Sequence, residues 1–365
     1  MAIDSLRENR SGFGTRSLVS VFVVLAALFG GTTVLASWYS SERLSRASEY
    51  YKDGQRLEAR GESGEAIEAY RNALEISPKS EYRLALAQAL IRSGRPEGAS
   101  AYLNELLRSD IASGEPNLLL ARIAAKEGRV DAAINYYQRA IYGYWQQDAQ
   151  KNRLAARWEL IGLLESARMQ NQATAQLLEL SEQAPGDAPV LIQVAKRLLA
   201  NGAPSQAAEL FREGLKIQSG NGEAEAGLAE AQLAMAQYVD AQAAFRKAIR
   251  EGANNEEVRR AYETVNQVLA LDPVRNDLSP LERYRRSLLL LERSAALVSA
   301  CDVNTSPNTL LDQAKQAQTD RPHSRDLESA IDANIHLAQE IYGLKGNCAQ
   351  SDPPLARVFA IINSK

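Results

Sequence analysis

The feature that most constrains this chain is a recurrence of small and aromatic residues at a spacing near 34. Residues 64–78, GEAIEAYRNALEISP, form the second half of one such unit. The same order of residue types returns in units that begin near Ala47, Ser80, Gly114, Leu154, Ala188 and Gly222. These starts are 33, 34, 40, 34 and 34 residues apart. A unit this short cannot bury its own apolar face, so the recurrence predicts an array of stacked units.

In the repeat family that this spacing resembles, the tetratricopeptide repeat, each unit consists of two helices joined by a tight turn. A small residue near the eighth position and Ala near the twentieth let the two helices approach closely, and an aromatic residue or Leu near position 24 fills the space between pairs. A left-handed backbone, which glycine adopts without strain, is expected where first helices end. The candidates are Gly61, Gly94, Gly128 and Gly202. Pro78 and Pro185 are expected to stop second helices.

This pattern resembles the tetratricopeptide repeat over residues 47–253. The resemblance implies a right-handed α-solenoid of about six helix–turn–helix repeats, with a concave groove lined by the first helices. Ala, Leu, Glu, Gln and Arg dominate the composition, and only 12 prolines occur, which also favours an all-α fold. We therefore predict an all-α solenoid that is preceded by one transmembrane helix and followed by a helical cap.

The N-terminal region carries a second signal. Residues 18–29 read LVSVFVVLAALF, inside an uncharged run from 17 to 41 that is about long enough to cross a bilayer. Arg7, Arg10 and Arg16 precede it, and an aromatic pair at 38–39 follows it. The positive-inside rule then predicts residues 1–16 in the cytoplasm, an inner-membrane anchor at 17–39, and a periplasmic or extracytoplasmic array.

A cleaved signal peptide is the alternative for the same residues. Val34 and Ala36 would then occupy the small-residue cleavage positions, and the chain would be secreted to the periplasm. Both alternatives export the rest of the chain.

The interval between the third and fourth repeats is about six residues longer than the others. It contains the sequence AIYGYWQQDAQKNRLA. In one interpretation the second helix is longer and its aromatic rings pack between repeats. In the other, Tyr142, Tyr144 and Trp145 form a partly exposed patch that binds a partner, because aromatic residues are enriched at binding hot spots.

Residues 254–365 are expected to form an incomplete seventh repeat and a helical cap that covers the end of the array. A separate functional module is the alternative. Ser279, Pro280 and Glu282 have the order of a helix N-terminus, with the cap residue first. Cys301 and Cys348 are expected to form one disulfide in an oxidising compartment, and two buried free thiols are the alternative.

No catalytic, metal or cofactor motif was found in the sequence. The only histidines are His323 and His336, both expected in polar, solvated surroundings, and there is no phosphate loop, Cys-x-x-Cys or nucleophile elbow. We therefore expect no enzyme activity, no cofactor and no small-molecule substrate. No block of Lys and Arg stands out and the formal net charge is −3, so a nucleic-acid partner is not expected.

The family resemblance implies that protein segments bind in the concave groove. Carried over unit by unit, it assigns the groove to Tyr51, Gln55, Leu84, Gln88, Leu118, Arg122, Trp158, Ile192, Lys196 and Glu230. Members that clamp a C-terminal carboxylate use Lys and Asn where this chain has Tyr51 and Gln55, which argues against that mode. The predicted function is a non-enzymatic, membrane-anchored protein-interaction scaffold. The alternatives are a periplasmic chaperone or carrier and, third, a non-catalytic subunit of an enzyme.

Overall fold

A computed structural model of the chain describes residues 12–300, 308–346 and 351–364. Apart from a short 3-10 turn, the regular elements in these ranges are α-helices, which confirms the all-α prediction. They are α1 (Gly12–Ala59), α2 (Ser63–Ile76), α3 (Ser80–Arg92), α4 (Pro96–Ser109), α5 (Gly114–Lys126), α6 (Val130–Tyr142), α7 (Ala149–Ser166), α8 (Gln170–Gln183), α9 (Ala188–Ala200), α10 (Pro204–Ile217), α11 (Gly222–Ala234), α12 (Tyr238–Arg250), α13 (Glu256–Leu271), α14 (Pro280–Ser299), α15 (Asn308–Thr319), α16 (Leu327–Gly343) and α17 (Pro353–Asn363).

The predicted repeat starts coincide with helix starts at four places, namely Ser80, Gly114, Ala188 and Gly222. Consecutive helices then pack as antiparallel pairs, α3 with α4, α5 with α6, α9 with α10 and α11 with α12. The small residue at the eighth position is completely buried in these repeats, as Ala87, Ala121, Ala195 and Ala229. Close approach of the two helices therefore depends on these alanines, as the sequence predicts.

The turns inside the repeats also follow the prediction. The four glycines expected there have positive φ angles between 72° and 81°. In the fourth and sixth repeats the same place is held by Arg168 and Ala236, with φ of 57° and 58°. Pro78 and Pro185 follow the ends of α2 and α8 by two residues, where they block helix continuation.

The first helix, α1, extends without a break from the apolar N-terminal stretch into the first repeat. It is 48 residues long, and the apolar part, from Leu18 onward, is exposed. The first buried residue is Ala47, which the sequence assigns to the start of the repeat array. Among the described residues, α1 is the one helix that is long and apolar enough to cross a membrane.

The chain divides into two compact units, residues 1–168 and 169–365. The first contains α1 to α7, and the second contains α8 to α17. In the second unit α13 packs against both α12 and α17, while α14 packs mainly against α16. Val258 and Val265 on α13 and Leu355 and Val358 on α17 are buried. The last helix thus helps to cover the end of this unit's repeats.

Polar contacts fix the C-terminal helices to one another. Asp352 caps α17 by accepting a hydrogen bond from the Leu355 amide at 3.0 Å, and it also binds Arg293 of α14 through both carboxylate oxygens. Ser279 caps α14 as predicted, accepting from the Glu282 amide at 3.3 Å. Cys301 and Cys348 lie outside the described residues, and their disulfide stays a prediction.

The longer interval between the third and fourth repeats does not lengthen the second helix, so that part of the sequence interpretation is wrong. Helix α6 has 13 residues and ends at Tyr142. The extra residues form a turn at 143–148 and an added N-terminal turn of α7, which is 18 residues long. Since α7 begins at Ala149, it starts five residues before Leu154.

Candidate functional site

A groove of about 630 Å³ lies in the first unit. Its walls come from α1, α3, α5, the turn at 143–148 and the start of α7. The lining residues are Tyr51, Glu81, Leu84, Ala85, Gln88, Ile91, Arg92, Glu115, Leu118, Leu119, Arg122, Trp145, Gln146, Gln147, Asp148 and Asn152. First helices of successive repeats thus share one concave surface, which we call groove 1.

Five of the predicted groove residues line groove 1, namely Tyr51, Leu84, Gln88, Leu118 and Arg122. Leu84 and Gln88 are half-buried, whereas Leu118 is only 6% exposed and belongs mostly to the core. The ring of Tyr51 is 4.8 Å from that of Tyr82 and 5.7 Å from that of Tyr70. This aromatic packing gives groove 1 a firm wall at its α1 side.

Several polar groups of groove 1 are bonded to one another or to side chains just outside the groove. Gln88 Nε2 donates to Glu115 Oε1 at 2.6 Å. Arg122 binds both oxygens of Glu159, at 2.9 and 2.6 Å, and Glu159 also accepts from the Tyr137 hydroxyl at 3.1 Å. Burial raises the pKa of Glu115, and the Gln88 hydrogen bond offsets part of this effect. Burial, followed by the Glu81 carboxylate, raises the pKa of Tyr51 to about 12.

Trp145 is part of the core as well as of the groove wall. It is 8% exposed, and its indole Nε1 donates to the Ala140 carbonyl at 2.8 Å. A β-carbon placed on Gly114 would lie 2.4 Å from the indole, so the ring packs directly on the glycine backbone. The expected patch of three exposed rings is therefore wrong for Trp145, because its ring fills the space between the turn and α5.

Tyr142 and Tyr144 have the exposure that the sequence interpretation expects. Their side chains are 66% and 64% exposed, and Ile111, in the turn before α5, is 63% exposed. Tyr144 is held by two backbone hydrogen bonds, from its amide to the Ala112 carbonyl at 2.8 Å and from the Gly114 amide to its carbonyl at 2.7 Å. These exposed residues thus lie on a fixed backbone.

A second cavity, of about 270 Å³, lies in the second unit among α9, α10, α11 and α13, and we call it groove 2. Its lining residues are Lys196, Leu199, Phe211, Glu223, Ala226, Gly227, Glu230, Ala253, Asn255, Glu257 and Val258. The predicted residues Lys196 and Glu230 both belong to it. Lys196 Nζ donates to Glu223 Oε2 at 2.9 Å.

The remaining three predicted residues lie outside both grooves. Gln55 is exposed on α1, one turn after Tyr51, and Trp158 is half-buried on α7. Ile192 is buried between α9 and α10, where a β-carbon on Gly214 would lie 2.8 Å from its Cγ1. Ile192 and Leu118 therefore stabilise the core of the repeats. Charged substitutions at these two positions would unfold the repeats in addition to altering the protein surface.

Sequence reasoning found Gln88 but missed the acidic side chains of groove 1 and the amide side chains that the insertion supplies. Glu81 and Glu115 each occupy the second position of a repeat, so their recurrence was the available signal. Gln147 and Asn152 come from the insertion, which has no periodicity, and no sequence signal points them toward the groove. In the described part of the chain, no group of three or more His, Cys, Asp or Glu residues is placed to hold a metal ion.

Models of the tetratricopeptide repeat family match residues 57–123, 115–142 and 198–265 of this sequence. With the helix pairs described above, these matches identify tetratricopeptide repeats within residues 57–142 and 198–265. No curated protein matches it.

Several solved structures are similar in fold. PilF of Pseudomonas aeruginosa is 16% identical, with a TM-score of 0.38 over 62% of this chain and 98% of its own. MamA is 20% identical, with a TM-score of 0.30 over 60% of this chain and 96% of its own. YrrB, described as a TPR protein with an unusual peptide-binding site, is 20% identical, with a TM-score of 0.35 over 46% of this chain and 84% of its own. At such low identities and scores, none of these likenesses carries a functional conclusion to this chain.

Proposed function

We propose that this protein is a non-enzymatic scaffold that binds a segment of another protein in groove 1. The observation that carries the proposal is the convergence of Tyr51, Leu84, Gln88 and Arg122 from three successive first helices on one concave surface. Apolar and amide side chains both line it and match the two needs of a bound segment. The apolar groups supply most of the binding free energy, and the polar groups fix orientation.

We further propose that α1 anchors the protein in a membrane through residues 17–39, with the repeats on the periplasmic or extracytoplasmic side. The exposed apolar surface from Leu18 to Tyr39 supports an anchor, since a contiguous surface of this size is unfavourable in water. The three arginines before it support the orientation. Protease added to intact spheroplasts tests the orientation, because it should digest exported repeats. The mass of the N-terminal peptide tests whether the segment is cleaved. Repeats that are protected from the protease would contradict export.

Groove binding is tested by photo-crosslinking in the cells that make the protein. A photoreactive phenylalanine analogue replaces Gln88 or Gln147 in groove 1 or, as the matched control, the exposed Gln138 on α6. We expect one or two discrete crosslinked partners from the two groove positions and none from the control. A broad smear of products from the groove would favour the chaperone or carrier alternative. Absence of any groove crosslink would overturn the binding proposal.

A further inference from the structure

Polar contacts between first helices recur at the same positions of the repeat. The ninth residue of one repeat faces the second residue of the next, counting from the repeat starts given above. Gln88 and Glu115 occupy these positions in the second and third repeats, where Gln88 donates at 2.6 Å. Lys196 and Glu223 occupy them in the fifth and sixth, where Lys196 donates at 2.9 Å. In both cases a donor at position nine satisfies a carboxylate at position two.

The next junction departs from this pattern, because two carboxylates occupy the same positions. Glu230 is the ninth residue of the sixth repeat, and Glu257 is the second residue of the incomplete seventh. Both line groove 2, and Lys196, the cationic residue of that groove, is bonded to Glu223. Burial, then the charge of Glu257, raises the pKa of Glu230. The position that a donor fills at the two junctions above is here left with two acceptors.

Groove 1 also carries an excess of negative charge. Its acidic side chains are Glu81, Glu115 and Asp148. Its two arginines are already bonded to carboxylates that are not among the lining residues, Arg92 to Glu58 and Arg122 to Glu159. The charge of Arg122 offsets part of that of Glu115, but a ligand in groove 1 still meets more negative than positive charge.

We propose that each of these grooves, taken by itself, recognises a basic protein segment. In groove 2 a Lys or Arg side chain binds between Glu230 and Glu257, and in groove 1 such a side chain binds the carboxylates of that groove. Leu199, half-buried in the same groove, offers apolar surface to the aliphatic stem of such a side chain, while its charged end supplies the missing donors. The inference deepens the proposed function, rests on its claim that a protein segment binds in groove 1, and extends that claim to groove 2.

The test uses the full-length protein in phosphatidylcholine nanodiscs, so that the lipid contributes no net charge. Three fluorescent 12-residue peptides share one pattern of Leu and Ala and carry Lys, Gln or Glu at the same polar positions. We expect the Lys peptide to bind at least about tenfold more tightly than the Gln peptide, and the difference to shrink as salt is raised. Equal binding of the Lys and Gln peptides would overturn the inference.

Charge-neutralising variants locate the effect. Glu230→Gln with Glu257→Gln, and separately Glu115→Gln with Asp148→Asn, should each weaken binding of the Lys peptide about tenfold at the groove that is changed and leave the other groove unaffected. The matched control, Glu97→Gln with Glu209→Gln, removes two exposed carboxylates from α4 and α10, outside both grooves, and should bind normally. An equal loss in the control would assign the effect to net charge and overturn the inference, as would normal binding by both groove variants.

The two proposals fail in different ways. If the groove positions crosslink a partner in cells while the Lys peptide shows no preference over the Gln peptide, the scaffold proposal stands and the basic segment is wrong. If the groove positions crosslink nothing, the scaffold proposal itself is wrong. Circular dichroism of each variant confirms that the helices are intact before binding is measured.

Discussion

The junctions on either side of the third repeat join their helices in different ways. Four residues, 110–113, connect α4 to α5, and the two helices pack directly. Six residues, 143–148, connect α6 to α7, and they are held by two backbone hydrogen bonds of Tyr144 to the turn before α5 and by the buried ring of Trp145. Helices α6 and α7 also pack directly on each other, so the comparison shows that an insertion is compatible with stacking when its backbone hydrogen bonds and one buried ring add to the helix contacts.

Removing the ring should have the largest effect on this comparison. Trp145→Ala deletes a buried aromatic side chain and its hydrogen bond to the Ala140 carbonyl, and should lower the free energy of unfolding by about 3–5 kcal/mol. Thermal unfolding followed by circular dichroism, with hydrogen exchange over residues 110–160, measures the loss. Tyr144→Ala, a change at an exposed ring in the same turn, is the control and should cost less than about 0.5 kcal/mol. Equal effects would mean that Trp145 does not stabilise the junction.

An added methyl group should destabilise the inserted turn more than it destabilises the start of a regular helix. A β-carbon on Gly143 would lie 2.5 Å from the carbonyl oxygens of Ala112 and Arg139, whereas one on Gly64 of α2 meets nothing within 4 Å. We expect Gly143→Ala to lower the free energy of unfolding by about 1–3 kcal/mol. The control, Gly64→Ala, should change it much less. Urea denaturation of both variants compares them, and a neutral Gly143→Ala would show that the turn can move.

The turns inside the repeats offer a milder comparison, because two of them lack the expected glycine. Arg168 and Ala236 adopt the left-handed conformation at the place that glycine holds in four other repeats. Each of Arg168→Gly and Ala236→Gly should therefore raise the free energy of unfolding by about 0.5–1 kcal/mol. Gly94→Ala should lower it by a similar amount. Midpoints of urea unfolding measure all three, and a lower midpoint for both glycine variants would contradict the explanation.

The smallest expected effect concerns the junction with two carboxylates. The pKa of Glu230 is raised in the folded protein, so the folded state binds its proton more tightly than the unfolded state does. Stability therefore falls as pH rises from the unfolded pKa through the folded one, and the penalty is fully present above the folded pKa. Glu230→Gln should then stabilise the protein at pH 7 by up to about 0.5 kcal/mol. The gain should vanish below about pH 4.

The pH dependence of Glu230→Gln needs its own control. Glu209→Gln removes an exposed carboxylate from α10 and should leave the pH profile of the unfolding midpoint unchanged. If the gain of Glu230→Gln persisted at pH 3.5, it would arise from packing and not from charge.

The sequence predicts the regular part of the fold well because each element depends on residues close to it. Ser80, Gly114, Ala188 and Gly222 are both predicted unit starts and observed helix starts, since periodicity and turn residues are local signals. The inserted turn was not predictable in this way. Its conformation depends on hydrogen bonds to Ala112 and Gly114, some 30 residues earlier. No sequence pattern in the insertion indicates these two partners.

The candidate site shows the same limit. Family resemblance placed Tyr51, Gln88 and Arg122 on one surface, because these positions recur with the unit. It also placed Ile192 there, but the small Gly214 on α10 leaves space that Ile192 fills in the core. The neighbouring side chain that packs against a given repeat position differs from repeat to repeat. The burial of a residue therefore cannot be predicted from its position in the repeat alone.

The unbroken helix α1 has a mechanical consequence. Tyr51, which forms one wall of groove 1, lies twelve residues beyond Tyr39 on the same helix, ~18 Å further along its axis. Arg43, between them, donates to the Ile76 carbonyl at 3.1 Å and so ties the helix to the end of α2. In the proposed membrane-anchored state, α1 acts as a rigid lever. If α1 tilts by 10° about the point where it leaves the membrane, Tyr51 moves by ~3 Å. Changes in bilayer thickness or a lateral force in the bilayer would therefore be transmitted directly to groove 1.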